Sequence, residues 1–177
     1  TISPRSAGEI GYTVLERSQL DTPRPDERGS FERIAGGPAI ADMAERRLAD
    51  TDEPSALRGT DPVTPESIFQ AAAAEDPIAR GVVRELAELV AMSIVGLAAA
   101  VNPELVILDG AVGRAVESER AGIQRLVDRQ LPFPPRIAIS SMGDNATVIG
   151  AVAAALDLSR SQRAPRALAR GGPGAWR

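Results

Sequence analysis

The sequence has no cysteine, no histidine and, among its 20 basic residues, no lysine. Without cysteine there are no disulfides and no thiolate metal sites, and thiols say nothing about the redox compartment. Without histidine there is no imidazole base and no Ser-His-Asp triad. Without lysine there is no Schiff-base amine and no phosphate-loop lysine. Any catalysis by these residues would rest on carboxylates. Aromatics are 3% of the chain against 44% hydrophobic residues overall, so the core must be built from Ala, Val, Leu and Ile. Long apolar runs are also scarce. The most apolar stretch, Leu89 to Val101, falls well short of the ~20 residues a bilayer span needs, and there is no secretory signal, so a cytoplasmic protein without membrane contact is the expectation. A net charge of −4 argues against a nucleic-acid surface over the body of the chain.

What is present fits one α/β domain, or one lobe of something larger, within 177 residues. The sequence starts without methionine, in what reads as mid-domain sequence, which predicts a fragment or excised domain. Glu9 to Leu15 carries β-branched and aromatic residues and predicts a short strand. From Gly29 to about Leu48 the pattern is helical, with a break at Gly36-Gly37-Pro38. Residues 49–62 read as a surface loop. Thr64-Pro65-Glu66 starts a helix running to Ala74, and Asp76-Pro77 starts the longest element, Pro77 to Val101, which Asn102-Pro103 stops. Its apolar residues recur every three or four positions and, after Glu88, on almost every side, which predicts burial on more than one face.

Glu104 to Asp109 (ELVILD) predicts a parallel strand covered on both faces. A helix from about Arg114 to Gln130 and a second strand, Arg136 to Ser140, complete a βαβ unit, and a last helix spans Ala146 to Leu158. Residues 159–177 hold five arginines, no acids and no periodicity. They read as a flexible tail beyond a domain at 1–158, either solubilising or an arm for nucleic acid.

The stretch Ala7 to Glu32 is the candidate site. Gly8-Glu9-Ile10-Gly11-Tyr12 flanks a carboxylate with glycines that let backbone approach a ligand, although the same group suits an ordinary turn. A Pro-punctuated loop, Pro23-Arg24-Pro25-Asp26-Glu27-Arg28-Gly29-Ser30, follows, with Glu32 just beyond. Carboxylates accept several directed hydrogen bonds, as sugar hydroxyls require. The alternative is a pair of structural carboxylates meeting Arg5, Arg28 or Arg33.

In wording and order this stretch resembles the ROK family of bacterial sugar kinases and sugar-responsive transcriptional regulators. In that family a Glu-x-Gly-His group precedes a Cys-x-Cys-Gly-x-x-Gly-Cys-x-Glu loop. Glu9-Ile10-Gly11-Tyr12 matches the first, with tyrosine at the histidine position. Pro23 through Glu32 matches the second, with Pro23, Pro25 and Ser30 at the cysteine positions. The resemblance continues in Asn102-Pro103-Glu104 with the strand and turn to Val112, and in Asp144-Asn145-Ala146-Thr147-Val148-Ile149-Gly150-Ala151.

The resemblance implies an α/β fold, the larger lobe of an actin-like, ribonuclease-H-like sugar kinase architecture, with the N-terminal lobe missing. It implies sugar contacts at Glu9, Tyr12 and Glu32, and a degenerate nucleotide contact at Gly110 and Ala111. In the family a double-glycine turn meets the nucleotide, and Asp109 stands at its first glycine. It either repels an anionic ligand or caps the next helix. The family's structural zinc is not expected, because Tyr12, Pro23, Pro25 and Ser30 replace all four ligands; the two prolines are expected to hold the loop instead. No other cofactor is implied. The family's phosphate-binding segment and catalytic aspartate lie upstream of Thr1, so no catalytic residue is expected here. Three functions remain: the effector-sensing and oligomerising part of a ROK-type regulator; half of an ATP-dependent sugar kinase with a degenerate zinc loop; or an oligomerisation module without ligand. The first implies a sugar or sugar-phosphate effector, a homodimer, and DNA contact only through a missing N-terminal domain.

Overall fold

The computed structural model describes residues 8–21, 28–143 and 146–170. Its organising element is helix α4, Pro77–Val101, against which α2 (Gly37–Ala49), α3 (Pro65–Ala73) and α6 (Arg120–Gln130) pack most extensively. The sequence sets both of its ends. Asp76 is the N-cap and its carboxylate accepts the Ala79 N–H at 3.0 Å, with Pro77 at the first helical position. Asn102 ends the helix in the left-handed region, φ +46°, a conformation asparagine tolerates. Between these ends Val82, Leu86, Val90 and Ile94 turn inward and form the core with Ile40, Ile68, Ile123 and Val127. Each such side chain contributes about 1.5–3 kcal/mol on full burial.

Asp76 also reaches sideways. Its carboxylate accepts the Ala56 N–H at 2.6 Å and the Ser55 hydroxyl at 3.1 Å, so the loop of residues 51–60 is pinned to the start of α4. Burial pushes this carboxyl up. The N–H groups of Ala79 and Ala56, the Ser55 hydroxyl and the Ile78 N–H outweigh burial and hold it below the usual carboxylate value.

Strands β1 (Leu105–Leu108) and β2 (Arg136–Ile139) pair in parallel, Leu105 against Arg136 through Leu108 against Ile139. Between them run α5 (Gly110–Ala115), a 3₁₀ turn at Glu117–Glu119, and α6. The single helix predicted from Arg114 to Gln130 is therefore two. The break sits at Val116, which is buried with Ile123 and Val127. β1 departs from its prediction as well. Val106 and Leu108 pack on the core, but Leu105 is 39% and Ile107 59% exposed, so among the described residues one face of the strand is covered, not both.

Two further expectations are corrected. Residues 9–15 form no strand. Ile10–Tyr12 is a 3₁₀ turn with extended residues on either side, because β propensity needs a neighbouring ladder and none is found among the described residues. The last helix, α7 (Ala146–Arg170), runs well past Leu158, so residues 159–170 are helical rather than a structureless tail. No described helix is long and apolar enough to cross a membrane. The predicted break at Gly36 is present, between α1 (Ser30–Ala35) and α2.

Candidate functional site

The site begins where two glycines meet. Gly29, the N-cap residue of α1, lies so close to the Gly11–Tyr12 peptide that a Cβ on it would stand 2.0 Å from the Gly11 carbonyl oxygen. Only a residue without a side chain allows that approach. It puts the turn carrying Glu9 against the helix carrying Glu32, and the Glu32 carboxylate lies 4.0 Å from where a Gly11 Cβ would be. A second tie crosses the same gap. The Gln19 side-chain carbonyl accepts the Leu15 and Glu16 N–H groups at 2.7 and 3.1 Å, and its amide donates to the Ser30 carbonyl at 3.0 Å. Gln19 thus clips the 3₁₀ turn Arg17–Leu20 to α1. Pro23 and Pro25, expected to stiffen this loop, lie outside the described residues. The sequence showed Gln19 only as a polar residue in a loop, and no local pattern marks a clip that closes on Ser30.

Beside this corner a cleft of about 640 Å³ opens between Ile10–Tyr12, the C-terminal half of α4, β1 and the start of α5. Glu9 and Thr13 line one side; Asp109, at the carboxyl end of β1, lines another; Ser93 projects from α4. The carboxyl ends of parallel strands are where open α/β sheets hold ligands. Most of the remaining wall is apolar, including Phe31, Leu97 and Val112. Neither Tyr12 nor Glu32 lines the cleft. Tyr12 is 39% exposed on the same turn, and Glu32 is exposed beside Gly11. Among the described residues, the Glu9, Glu32 and Asp109 carboxylates make no hydrogen bond or ion pair, so the alternative of carboxylates locked onto Arg28 or Arg33 is not what these side chains do. Arg5 lies outside the described residues.

Asp109 stands at the N-cap of α5, yet its side chain makes no capping bond. The capping reading is therefore set aside, and its charge is free to face the cleft. Gly110 takes φ +73° in the turn that follows, a conformation that favours glycine. Ala111 lines a separate hollow of about 690 Å³ on the other side of α5, with Phe69, Arg80 and Arg114. The two degenerate nucleotide positions thus lie next to the cleft, not inside it. Ser93 and Thr13 were not singled out in the sequence. Ser93 was visible only as the one hydroxyl in the apolar half of α4.

Tyr12 and Ser30, the described members of the four zinc positions, offer hydroxyls rather than thiolate, imidazole or carboxylate, and the other two positions are prolines. That donor set does not fit zinc.

The chain is 28% identical to a glucokinase of Halalkalibacterium halodurans over 153 residues, 81% of this chain and 46% of the glucokinase. It is 25% identical to a xylose repressor of Caldicellulosiruptor bescii over 159 residues, 83% of this chain and 38% of the repressor. It therefore spans less than half the length of either relative. Its fold matches a ROK family glucokinase from Streptomyces griseus, solved in complex with glucose and AMPPNP. That match has a TM-score of 0.61 and 26% identity, over 71% of this chain and 44% of that one. The fold is thus the actin-like architecture of the sugar kinases. With kinase and repressor relatives on either side of it, and the ROK family model matching residues 4–158, the chain belongs to the ROK family.

Proposed function

We propose that this chain is the effector-sensing and oligomerising portion of a sugar-responsive ROK transcriptional regulator, without catalytic activity of its own. The observation that carries the choice of regulator over kinase is Asp109. Its unengaged carboxylate stands where the family's double-glycine turn meets a nucleotide, and a fixed negative charge there opposes a triphosphate. Sugar recognition rests on Glu9 and Glu32, acceptor-only side chains held on either side of Gly11, with Tyr12 offering a hydroxyl in place of an imidazole. The effector is a sugar or sugar derivative, the chain assembles as a homodimer, and DNA is held by a separate domain. The loop does without zinc, and Gln19 with the Gly29 contact takes over the holding role. Effector binding acts by shifting the balance between two arrangements of lobe or subunit.

The second reading, half of an ATP-dependent sugar kinase, is favoured by the glucokinase relative at 28% identity. Calorimetry on the full-length protein separates the two. The regulator reading expects heat from a sugar such as glucose and none from AMPPNP with magnesium. Nucleotide binding, together with ATP-dependent phosphorylation of the sugar, overturns it in favour of the kinase. Silence across a panel of sugars removes both readings and leaves an oligomerisation module. One zinc per chain by elemental analysis overturns the metal-free loop.

A further inference from the structure

One wall of the cleft is carried by residues 8–21, through Glu9, Ile10 and Thr13, and Phe31 of α1 lines it from the neighbouring helix. Three backbone hydrogen bonds inside the segment are local: the Tyr12 N–H to the Glu9 carbonyl at 3.2 Å, Thr13 to Ile10 at 3.0 Å and Gln19 to Glu16 at 3.1 Å. They shape its turns and say nothing about its distance from α1. Gln19 spans that distance with both ends of one partly buried amide. Its oxygen gathers the Leu15 and Glu16 N–H groups, and its nitrogen donates across the gap to the Ser30 carbonyl at 3.0 Å. Ser30 is the first residue of α1, beside Phe31 and two before Glu32. The Gly29 contact sets how near the two pieces come, and the Gln19 bond supplies the directed pull.

We infer that Gln19 is a positioning residue of the sugar site: its amide holds the turn of Glu9 against the helix of Glu32 and so sets the affinity for the effector. This rests on the reading of Glu9 and Glu32 as sugar contacts. Gln19 does not line the cleft and acts through the segments it joins. When the wall stands open the Glu9 contact is lost, so apparent affinity falls with the fraction of molecules closed. Neither 3₁₀ turn of the segment buries a residue, so the wall can open without disturbing the core. Gln124 uses its amide in the same way elsewhere. It accepts the Ile137 N–H at 2.8 Å and donates to the Pro135 carbonyl at 3.0 Å, but it ties β2 to α6, whose Ile123 and Val127 are core residues.

The test is calorimetry on the full-length protein with glucose, xylose and glucosamine, beside urea denaturation. One net hydrogen bond is worth a factor of roughly 2–12. Gln19→Met keeps the length of the side chain and loses all three bonds; it should weaken the tightest-binding of the three sugars about tenfold and leave the urea midpoint nearly unchanged. Gln19→Glu keeps the acceptor for Leu15 and Glu16 but turns a second oxygen toward the Ser30 carbonyl, and it should weaken that sugar at least threefold with the turn intact. Gln124→Met should do the reverse, lowering the midpoint and leaving sugar affinity unchanged. Wild-type affinity in both Gln19 variants overturns the inference and leaves the sugar site standing. Equal loss of affinity in Gln124→Met and Gln19→Met also overturns it, because general stability then accounts for the effect. If none of the three sugars binds the wild type, the sugar site itself falls and the inference with it. Should Gln19→Met fold poorly, Gln19→Glu carries the comparison.

Discussion

Replacing Gly29 by alanine should separate the two halves of the candidate site. Gly29 has φ −75° and ψ 166°, which any residue adopts, so the substitution carries no backbone strain. The whole effect is steric. The new Cβ would lie 2.0 Å from the Gly11 oxygen, 2.3 Å from its carbonyl carbon and 2.6 Å from the Tyr12 nitrogen. All three atoms are backbone, so no rotamer change relieves the clash. Real Cβ contacts stop near 3.0 Å, so the turn and α1 must part by about 1 Å. Overpacking of this kind costs about 1–3 kcal/mol. At 1.4 kcal/mol per tenfold, that is roughly a fivefold to hundredfold rise in the opening equilibrium of the corner. Amide hydrogen exchange reads it directly. The Thr13 N–H, bonded to the Ile10 carbonyl at 3.0 Å, and the Arg33 N–H, bonded to the Gly29 carbonyl at 3.1 Å, should both exchange faster by that factor. If the corner and the core open together, the urea midpoint falls instead. Unchanged exchange at both amides with an unchanged midpoint would show that the glycine contact does not hold the site.

Two other changes test the frame behind the site. Asp76→Ala removes an N-cap and two further acceptor bonds at a residue 8% exposed, and should cost about 2–4 kcal/mol by urea denaturation. The folded carboxyl sits below its ordinary value of 3.8, so the unfolded chain binds the proton first and stability from this group rises with pH. The gap between wild type and Asp76→Ala should therefore be full above that value and close as pH falls through the folded pKa. A gap constant down to strong acid would remove the charged network from the account. Gly96→Ala goes the other way. It lies inside α4, is exposed, and has no atom within 4 Å of a new Cβ; a gain of about 0.5–1 kcal/mol is expected, and a lowered melting temperature would contradict it.

The parts of the fold legible in the sequence were those fixed by neighbours along the chain. Asp76-Pro77 and Asn102-Pro103 set α4 to the residue, because capping and proline geometry act within one helical turn. The misread parts were those that depend on distant partners. Ile10, Tyr12, Thr13 and Val14 have strand composition, but without a ladder to join, the chain takes a 3₁₀ turn. The Leu105–Leu108 strand is apolar on both faces, while the described residues cover only the face of Val106 and Leu108. The pattern records what the side chains suit, and Leu105 and Ile107 suit a neighbour that is not among the described residues.

The site divides along the same line. Glu9 and Glu32 stood out through the motif resemblance, since a glycine-flanked carboxylate alone also suits an ordinary turn; the structure sets both near Gly11, with Glu9 lining the cleft and Glu32 outside it. That corner depends on Gly29, whose role is invisible in sequence: a glycine before a helix is ordinary, and only the position of Gly11 makes it obligatory. Asp109 was legible as an oddity but not as a cleft residue, since its place there follows from β1 running parallel to β2 and ending beside the turn of Glu9. Ser93 was legible as neither. Its contribution depends on which way its hydroxyl proton points, and helix α4 settles that by offering the Leu89 carbonyl one turn back. What Ser93 offers the cleft is thus decided by backbone geometry acting on a residue that sequence alone presents as one hydroxyl in an apolar helix.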